Sequence, residues 1–150
     1  MQFEFRPVSK ADLAMLFEWH QRPHVREWWD SYTSLDALEA DTFDWDVHPF
    51  IAYGDGQPFA YIQSYLTGEA GVMGIDQFIA SAGSLGRGFG TALVTQFVEF
   101  LFADPAIAAV IVDPVPQNAR AIRCYEKAGF RFVGMRDGAN IMRIDRSGRR

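Results

Sequence analysis

Apolar and polar residues alternate through residues 2–7 (Gln-Phe-Glu-Phe-Arg-Pro), the pattern of an opening strand with one face covered. Ser9 followed three residues later by Asp12 predicts a helix start, and Leu13, Leu16, Phe17 and His20 then recur at helical spacing until Pro23 breaks the pattern. Residues 24–46 have no sustained period and read as irregular or short-helical, with an unusual aromatic content in Trp28, Trp29, Tyr32, Phe43 and Trp45. Phe50 to Tyr53 and Phe59 to Leu66 read as two strands, joined by the hairpin signal Gly54-Asp55-Gly56-Gln57. Val72 to Ile79 predicts a further strand. A glycine-rich turn and amphipathic helix occupy about 85–103, ended by Asp104-Pro105. Ile107 to Val112 is a short continuous apolar run, as in a strand buried on both faces. A helix over Ala119 to Ala128 follows, capped by Asn118 and stopped by Gly129. Phe130 to Met135 and Asn140 to Ile144 then form a hairpin around Asp137-Gly138. The pattern predicts one mixed α/β domain over 1–150, with no repeat, linker or low-complexity tract.

Composition narrows the class. A length of 150 residues with 49% hydrophobic content supports a substantial core, and 15% aromatics suit either that core or an apolar-walled pocket. The net charge of -5 argues against a broad nucleic-acid footprint. Arg143, Arg146, Arg149 and Arg150 read as a solvated basic terminus. One cysteine, Cys124, excludes an internal disulfide and fits a reducing compartment. Glu4 and Arg6 near the start, with no apolar run, predict no signal peptide, and no stretch reaches membrane-spanning length. The expectation is a cytoplasmic protein with no membrane partner, either monomer or homodimer. His20 and His24 are too isolated to predict a metal site and read as satisfied polar residues.

The most informative chemistry lies in Leu85-Gly86-Arg87-Gly88-Phe89-Gly90-Thr91, which runs directly into a helix. Three alternating glycines clear side chains from a turn whose N–H groups stand at the positive end of a helix dipole, a ready phosphate or pyrophosphate site. A Walker A loop is excluded because Thr91 follows Gly90 with no lysine nearby. A dinucleotide fold fits poorly: the glycines are spaced Gly-x-Gly-x-Gly, and several strands precede them.

Gly86-x-Gly88-x-Gly90-Thr91, with Asn118-Ala-Arg-Ala-Ile-Arg-Cys-Tyr-Glu-Lys-Ala-Gly-Phe130 further on, resembles the GNAT family of acetyl-CoA-dependent N-acetyltransferases. Leu85 departs from the family's usual Gln or Arg. Gly74-Ile75-Asp76-Gln77, Asp113-Pro114, Arg120 to Phe130, Glu27-Trp28-Trp29 and Gln63-Ser64-Tyr65 extend the resemblance to the aminoglycoside 6′-N-acetyltransferases. The segment Leu66 to Met73 is short where those enzymes carry a longer tryptophan- and acid-rich insert. The Pro23-His24-Val25…Trp28-Trp29 run is shared with acyltransferases of hydroxylysine-type siderophores.

The resemblance implies a GNAT fold: a mostly antiparallel sheet of six to seven strands, flanked by helices, with a V-shaped splay between its two central strands. It implies acetyl-CoA as co-substrate, no metal, and direct transfer to a small-molecule primary amine. Backbone of Phe78 and Ile79, the loop Gly86, Arg87, Gly88, Phe89, Gly90 and Thr91, and Asn118 would hold the donor. Asp76 would bind the amine and act as general base, and Tyr125 would protonate the leaving thiolate. Trp28, Trp29 and Tyr65 would wall the acceptor cleft, with Asp113 and Asp137 as further acids facing a polyamine sugar. The acceptor so implied is the 6′-amine of an aminoglycoside; the alternatives are a hydroxylysine-type siderophore precursor, a polyamine or another small amine, and, in a different class, an acetyl-CoA-binding sensor without turnover.

Overall fold

The computed structural model describes residues 1–146, so Arg149 and Arg150 of the expected basic terminus lie outside the described residues. Seven strands form one sheet: β1 (Phe3–Pro7), β2 (Val47–Gly54), β3 (Gln57–Leu66), β4 (Val72–Ile79), β5 (Ala109–Val112), β6 (Arg131–Arg136) and β7 (Ala139–Asp145). Their order across the sheet is β1-β2-β3-β4-β5-β7-β6, and β4 with β5 is the one parallel pair. The described residues also hold five α-helices, α1 (Leu13–Gln21), α2 (Pro23–Arg26), α3 (Leu35–Thr42), α4 (Phe89–Phe102) and α5 (Ala119–Lys127), and two single-turn 3-10 helices at Lys10–Asp12 and Ala82–Ser84.

Local chemistry accounts for the turns. The Gly54–Gln57 hairpin closes through Asp55 at φ 53° and Gly56 at φ 78°, and the β6–β7 hairpin through Asp137 at φ 52° and Gly138 at φ 80°. Both are the left-handed two-residue turns whose twist matches that of the flanking strands. At Ser9, the backbone N–H donates to Asp12 Oδ2 at 2.8 Å, completing the capping box expected there. Pro23 ends α1 as expected, but it also opens α2 at a first helical position, where a missing N–H costs nothing.

Each face of the sheet carries its own core. On one face α4 buries Leu93, Val94, Phe97, Val98, Leu101 and Phe102 against Ile62, Ile75, Val110, Val112 and Met142. Full burial of side chains of this size is worth about 1.5–3 kcal/mol each before entropy is charged. On the other face α1 to α3 cover Ile51, Tyr61 and Phe78 with Leu13, Leu16, Trp19, Val25 and Leu38. Gln96, which interrupts the apolar pattern of α4, accepts from the Phe3 N–H at 2.8 Å and donates to the Met1 carbonyl at 2.7 Å. It ties the first strand to the helix.

Arg143 and Arg146 do not form a solvated terminus. Arg143 lies half-buried in β7, donating to Asp145 at 2.9 Å and reaching Glu69 at 3.4 Å. Arg146 donates to the Ile107 and Asp104 carbonyls at 2.6 and 2.7 Å, with its guanidinium 4.8 Å from the Phe102 ring centre. Arg146 fastens the end of β7 to the loop after α4, and Arg143 ties β7 to the turn between β3 and β4.

Candidate active site

The sheet opens at its centre. β4 pairs with β5 only through Val72–Gly74 against Ala109–Ile111, whereas β3 follows β4 all the way to Ile79. Pro114 cannot donate to a ladder, and its carbonyl accepts from Asn140 N–H at 2.9 Å, so the chain leaving β5 follows β7 instead of β4. The edge of β4 from Asp76 to Ile79 therefore faces a cavity of about 700 Å³ rather than a strand. At the far end of β4, Arg22 donates to the Ala80 carbonyl at 2.7 Å, and His24 Nε2 meets the Ile79 carbonyl at 2.8 Å. The α1–α2 corner thus holds this edge, and His24 is the satisfied polar residue expected.

One wall of the cavity is the glycine turn. Gly86 and Gly88 adopt φ 72° and 83°, and an added Cβ at either would meet nothing within 4 Å. Gly88 is the N-cap of α4 and supplies no side chain to cap it, leaving the first N–H groups of the helix without a side-chain acceptor. Gly90 lies in the first turn of α4 beside α5, where an added Cβ would stand in ordinary contact, 3.5 Å from Cys124 Sγ. Thr91 and Asn118 also line the cavity, and Asn118 Oδ1 accepts from Ala121 N–H at 3.3 Å as the cap of α5. Arg87 and Phe89 are not in the lining. The Phe89 ring packs on Phe59 at 5.4 Å, which leaves its backbone alone to face a ligand.

Arg120, Arg123 and Lys127 line the same side, a set not singled out from the sequence. Their i, i+3, i+7 spacing on a predicted helix was the readable signal. With the open helix end they make this wall electropositive, suited to phosphates.

The strand side of the cavity carries acid and aromatic groups. Asp76, Gly74 and Phe78 share the sheet face of Tyr61, Gln63 and Tyr65, because the pleat alternates and Gln63 stands opposite Asp76. Gln63 Nε2 donates to Asp76 Oδ2 at 3.1 Å. Burial, reinforced by the nearby negative charge of Asp113, pushes the Asp76 carboxyl up to about 6. Asp113, also in the lining, is raised by desolvation. Tyr65, expected to wall the acceptor cleft, is not in the cavity lining; its ring lies across Gly74, where an added Cβ would fall inside the phenol. Gly74→Ala should therefore displace the ring or the strand, costing about 1–3 kcal/mol in thermal unfolding and weakening acceptor binding measured as KM.

Tyr125 is buried in α5, and its Oη accepts from Gln77 Nε2 at 2.8 Å, so its own proton is free to be donated. Burial pushes its pKa far up, which keeps that proton in place at any working pH. Gln77 is the residue that sequence reasoning missed here; it projects to the opposite sheet face from Asp76. Burial also raises the Cys124 thiol, which makes a thiolate nucleophile unavailable at neutral pH.

Trp28 and Trp29 both line the cavity, the first exposed and the second packed on Phe78 at 5.2 Å. Asp137 is not brought there: it stands exposed in the β6–β7 turn. Among the described residues no cluster of His, Cys, Asp or Glu has the makings of a metal site. Nor is any helix among them long and apolar enough to cross a membrane.

Comparison with known proteins agrees with this geometry. The acetyltransferase (GNAT) domain family matches residues 8–137. An aminoglycoside N(6′)-acetyltransferase type 1 from Klebsiella pneumoniae is 42% identical over 149 residues, covering 86% of this chain and 74% of its own. The crystal structure of aminoglycoside acetyltransferase AAC(6′)-Ib with coenzyme A and kanamycin superposes with a TM-score of 0.89 at 40% identity, covering 97% of this chain and 96% of that one. A lysine N-acyltransferase from a Mycobacterium is 29% identical over 92% of this chain and 63% of its own. A parted sheet, an uncapped glycine turn and the extent of this match converge: the chain belongs to the GNAT acetyltransferases, enzymes that carry the acetyl group of acetyl-CoA to an amine.

Proposed function

We propose that the acceptor is the 6′-amine of an aminoglycoside, acetylated by direct transfer within one domain spanning residues 1–150. The observation that carries this reading is the pair of raised carboxyls, Asp76 and Asp113, lining one cavity beside the open edge of β4. An amino sugar presents several ammonium groups, and converging carboxylates orient them. Similarity to the Klebsiella enzyme and to the kanamycin-bound structure supports the same choice. The enzyme would work in the cytoplasm, where acetyl-CoA is made, as a monomer or homodimer.

In this reading the pantetheine arm takes the place of a strand along Phe78 and Ile79, and the pyrophosphate sits on the turn from Gly86 to Thr91. Asn118 contacts the arm from α5. Trp28, Trp29 and Tyr65 bound the acceptor. Asp76 accepts a proton from the bound ammonium, directly or through water. An alkyl ammonium titrates near 10, so a carboxylate at about 6 rather than 3.8 lowers the cost of that transfer by about 3 kcal/mol. The neutral amine attacks the thioester carbonyl, whose oxygen takes up the negative charge beside backbone N–H groups of β4. The carbon–sulfur bond then breaks, and the second amine proton reaches the thiolate through Tyr125. The first proton leaves Asp76 for solvent as the products depart.

The test is CoA release with kanamycin, a lysine derivative and a polyamine as acceptors. Kanamycin should be turned over with the highest kcat/KM. Turnover on the lysine derivative alone would overturn the reading, and acetyl-CoA binding without any turnover would favour a sensor. Tyr125→Phe should lower kcat by about 10²-fold with little change in either KM, measured on the preferred acceptor.

A further inference from the structure

Tyr125, the acid of the mechanism above, is held on two sides. Its ring packs on Phe130 with centres 5.6 Å apart, and its oxygen accepts from Gln77 Nε2 at 2.8 Å. With the ring fixed, the torsion of the phenol O–H is the freedom that remains, and a phenol hydrogen turns to suit its surroundings. A donor seated on one side of the oxygen leaves the other side for that hydrogen. The Gln77 amide thus bears on where the proton points. An acceptor in its place would hold back the proton that the thiolate needs.

The other end of the same amide is unclaimed. Gln77 Oε1 is buried and has no hydrogen-bond partner. Leaving a buried acceptor unpaired costs free energy that a bound N–H would recover. Gln77 shares the sheet face of Ile75 and Ile79, because the pleat alternates, and those two pack with Leu93 of α4 and Tyr125 of α5. It is therefore turned away from Asp76 and Gln63. Gln77 and Tyr125 both line the cavity along the open edge of β4, so an N–H for Oε1 can come from a molecule lying in it.

The arm of acetyl-CoA carries an amide N–H two carbons from the sulfur. With the sulfur at the Tyr125 hydroxyl, that N–H comes within reach of a side chain bonded to the same hydroxyl. We propose that Gln77 is a positioning residue joining donor to acid: its N–H holds the Tyr125 oxygen, and its carbonyl accepts from the amide of the arm nearest the sulfur. The assignment rests on the reading of Tyr125 as the acid. A seated donor fixes the Gln77 amide, and the amide turns the Tyr125 proton toward the sulfur. The acid is thereby aligned only when a thioester is present.

Two measurements on the full chain decide the point. The side-chain NH₂ resonances of Gln77, identified by their loss in Gln77→Leu, should shift in a saturable NMR titration with CoA. They should stay in place with adenosine 3′,5′-bisphosphate, which lacks the arm. In kinetics on the preferred acceptor, Gln77→Leu should lower kcat about tenfold and raise the KM for acetyl-CoA about fivefold. In a Tyr125→Phe background the same change should leave kcat within about twofold, because no hydroxyl remains to be turned, and should still raise that KM. An equal fall in kcat in both backgrounds, or Gln77 resonances indifferent to CoA, would overturn the assignment. Full activity of Tyr125→Phe alone would instead remove Tyr125 as the acid, and the CoA titration still decides whether Gln77 holds the arm.

Discussion

Replacing Asp76 by Asn should lower acetyl transfer by about 10²–10⁴-fold, the usual worth of a positioned general base, while acetyl-CoA affinity stays within about twofold. The amide keeps the size of the side chain and can still accept from Gln63 Nε2, so the loss isolates proton acceptance. The pH profile supplies a second signature. With the carboxyl at about 6, kcat/KM of the unaltered enzyme should rise with pH through that value as the base ionises. Because the charge of Asp113 contributes to the upward shift, Asp113→Asn should move this limb to lower pH.

Asp76→Asn should also stabilise the fold, with a sign opposite to that of a salt-bridged carboxylate. The unfolded chain ionises this group near 3.8 and the folded chain near 6, so the unfolded state binds fewer protons between these values. Stability therefore falls as pH rises across that window and stays lower above it. A shift of this size corresponds to about 3 kcal/mol at neutral pH, which Asp76→Asn should largely recover in urea or thermal unfolding at pH 7 but not at pH 3. A variant that is inactive yet no more stable at pH 7 would remove burial as the cause.

Gly88→Val should raise the KM for acetyl-CoA about 10–100-fold and leave kcat at saturating donor close to normal. The substitution has two separable effects. At φ 83° a β-branched residue is strained, which costs about 1–2 kcal/mol of stability whatever surrounds it. Its side chain also enters the empty space over the helix end, where the donor's pyrophosphate is to lie. Gly138→Val is the matched control. That glycine has φ 80° and equally open surroundings, but it sits in the β6–β7 turn outside the cavity lining. Both variants should lose similar stability, and only the first should lose donor affinity. Equal KM values for the two would sink the assignment of the turn as the phosphate cradle.

Much of this was legible in one sequence because the signals are local. Val72–Ile79 was bounded as predicted, and the two hairpin turns announce themselves through Asp-Gly pairs that tolerate positive φ. The glycine turn and the Asn118 cap are local as well. What escaped depends on partners distant in sequence. Gln77 meets Tyr125 across 48 residues, and nothing in either segment advertises the bond. Arg146 reads as a terminal charge until its contacts with Ile107 and Asp104 fold back onto it. Within the stretch expected to be irregular or short-helical, the short helix α3 was left without bounds because its apolar face is narrow, with Leu38 its one fully buried aliphatic. His20 fitted the apolar stripe of α1, but the lack of a hydrogen-bond partner for its buried Nδ1 follows only from the rings of Trp29, Tyr32 and Phe78, which the loop after α2 and the sheet bring around it.

The short seam between β4 and β5 has a thermodynamic consequence. Three residue pairs are all that join the antiparallel block β1–β4 to the block β5–β7–β6 through the sheet. A donor lying along the unpaired edge would complete a structure that the polypeptide leaves unfinished. The population of intact sheet would then follow the supply of that donor by mass action, by about 2.7 kcal/mol at a hundredfold excess over its dissociation constant. Persistence of the folded enzyme and readiness for catalysis would then rise together with one metabolite, on top of the core that α4 builds across both blocks.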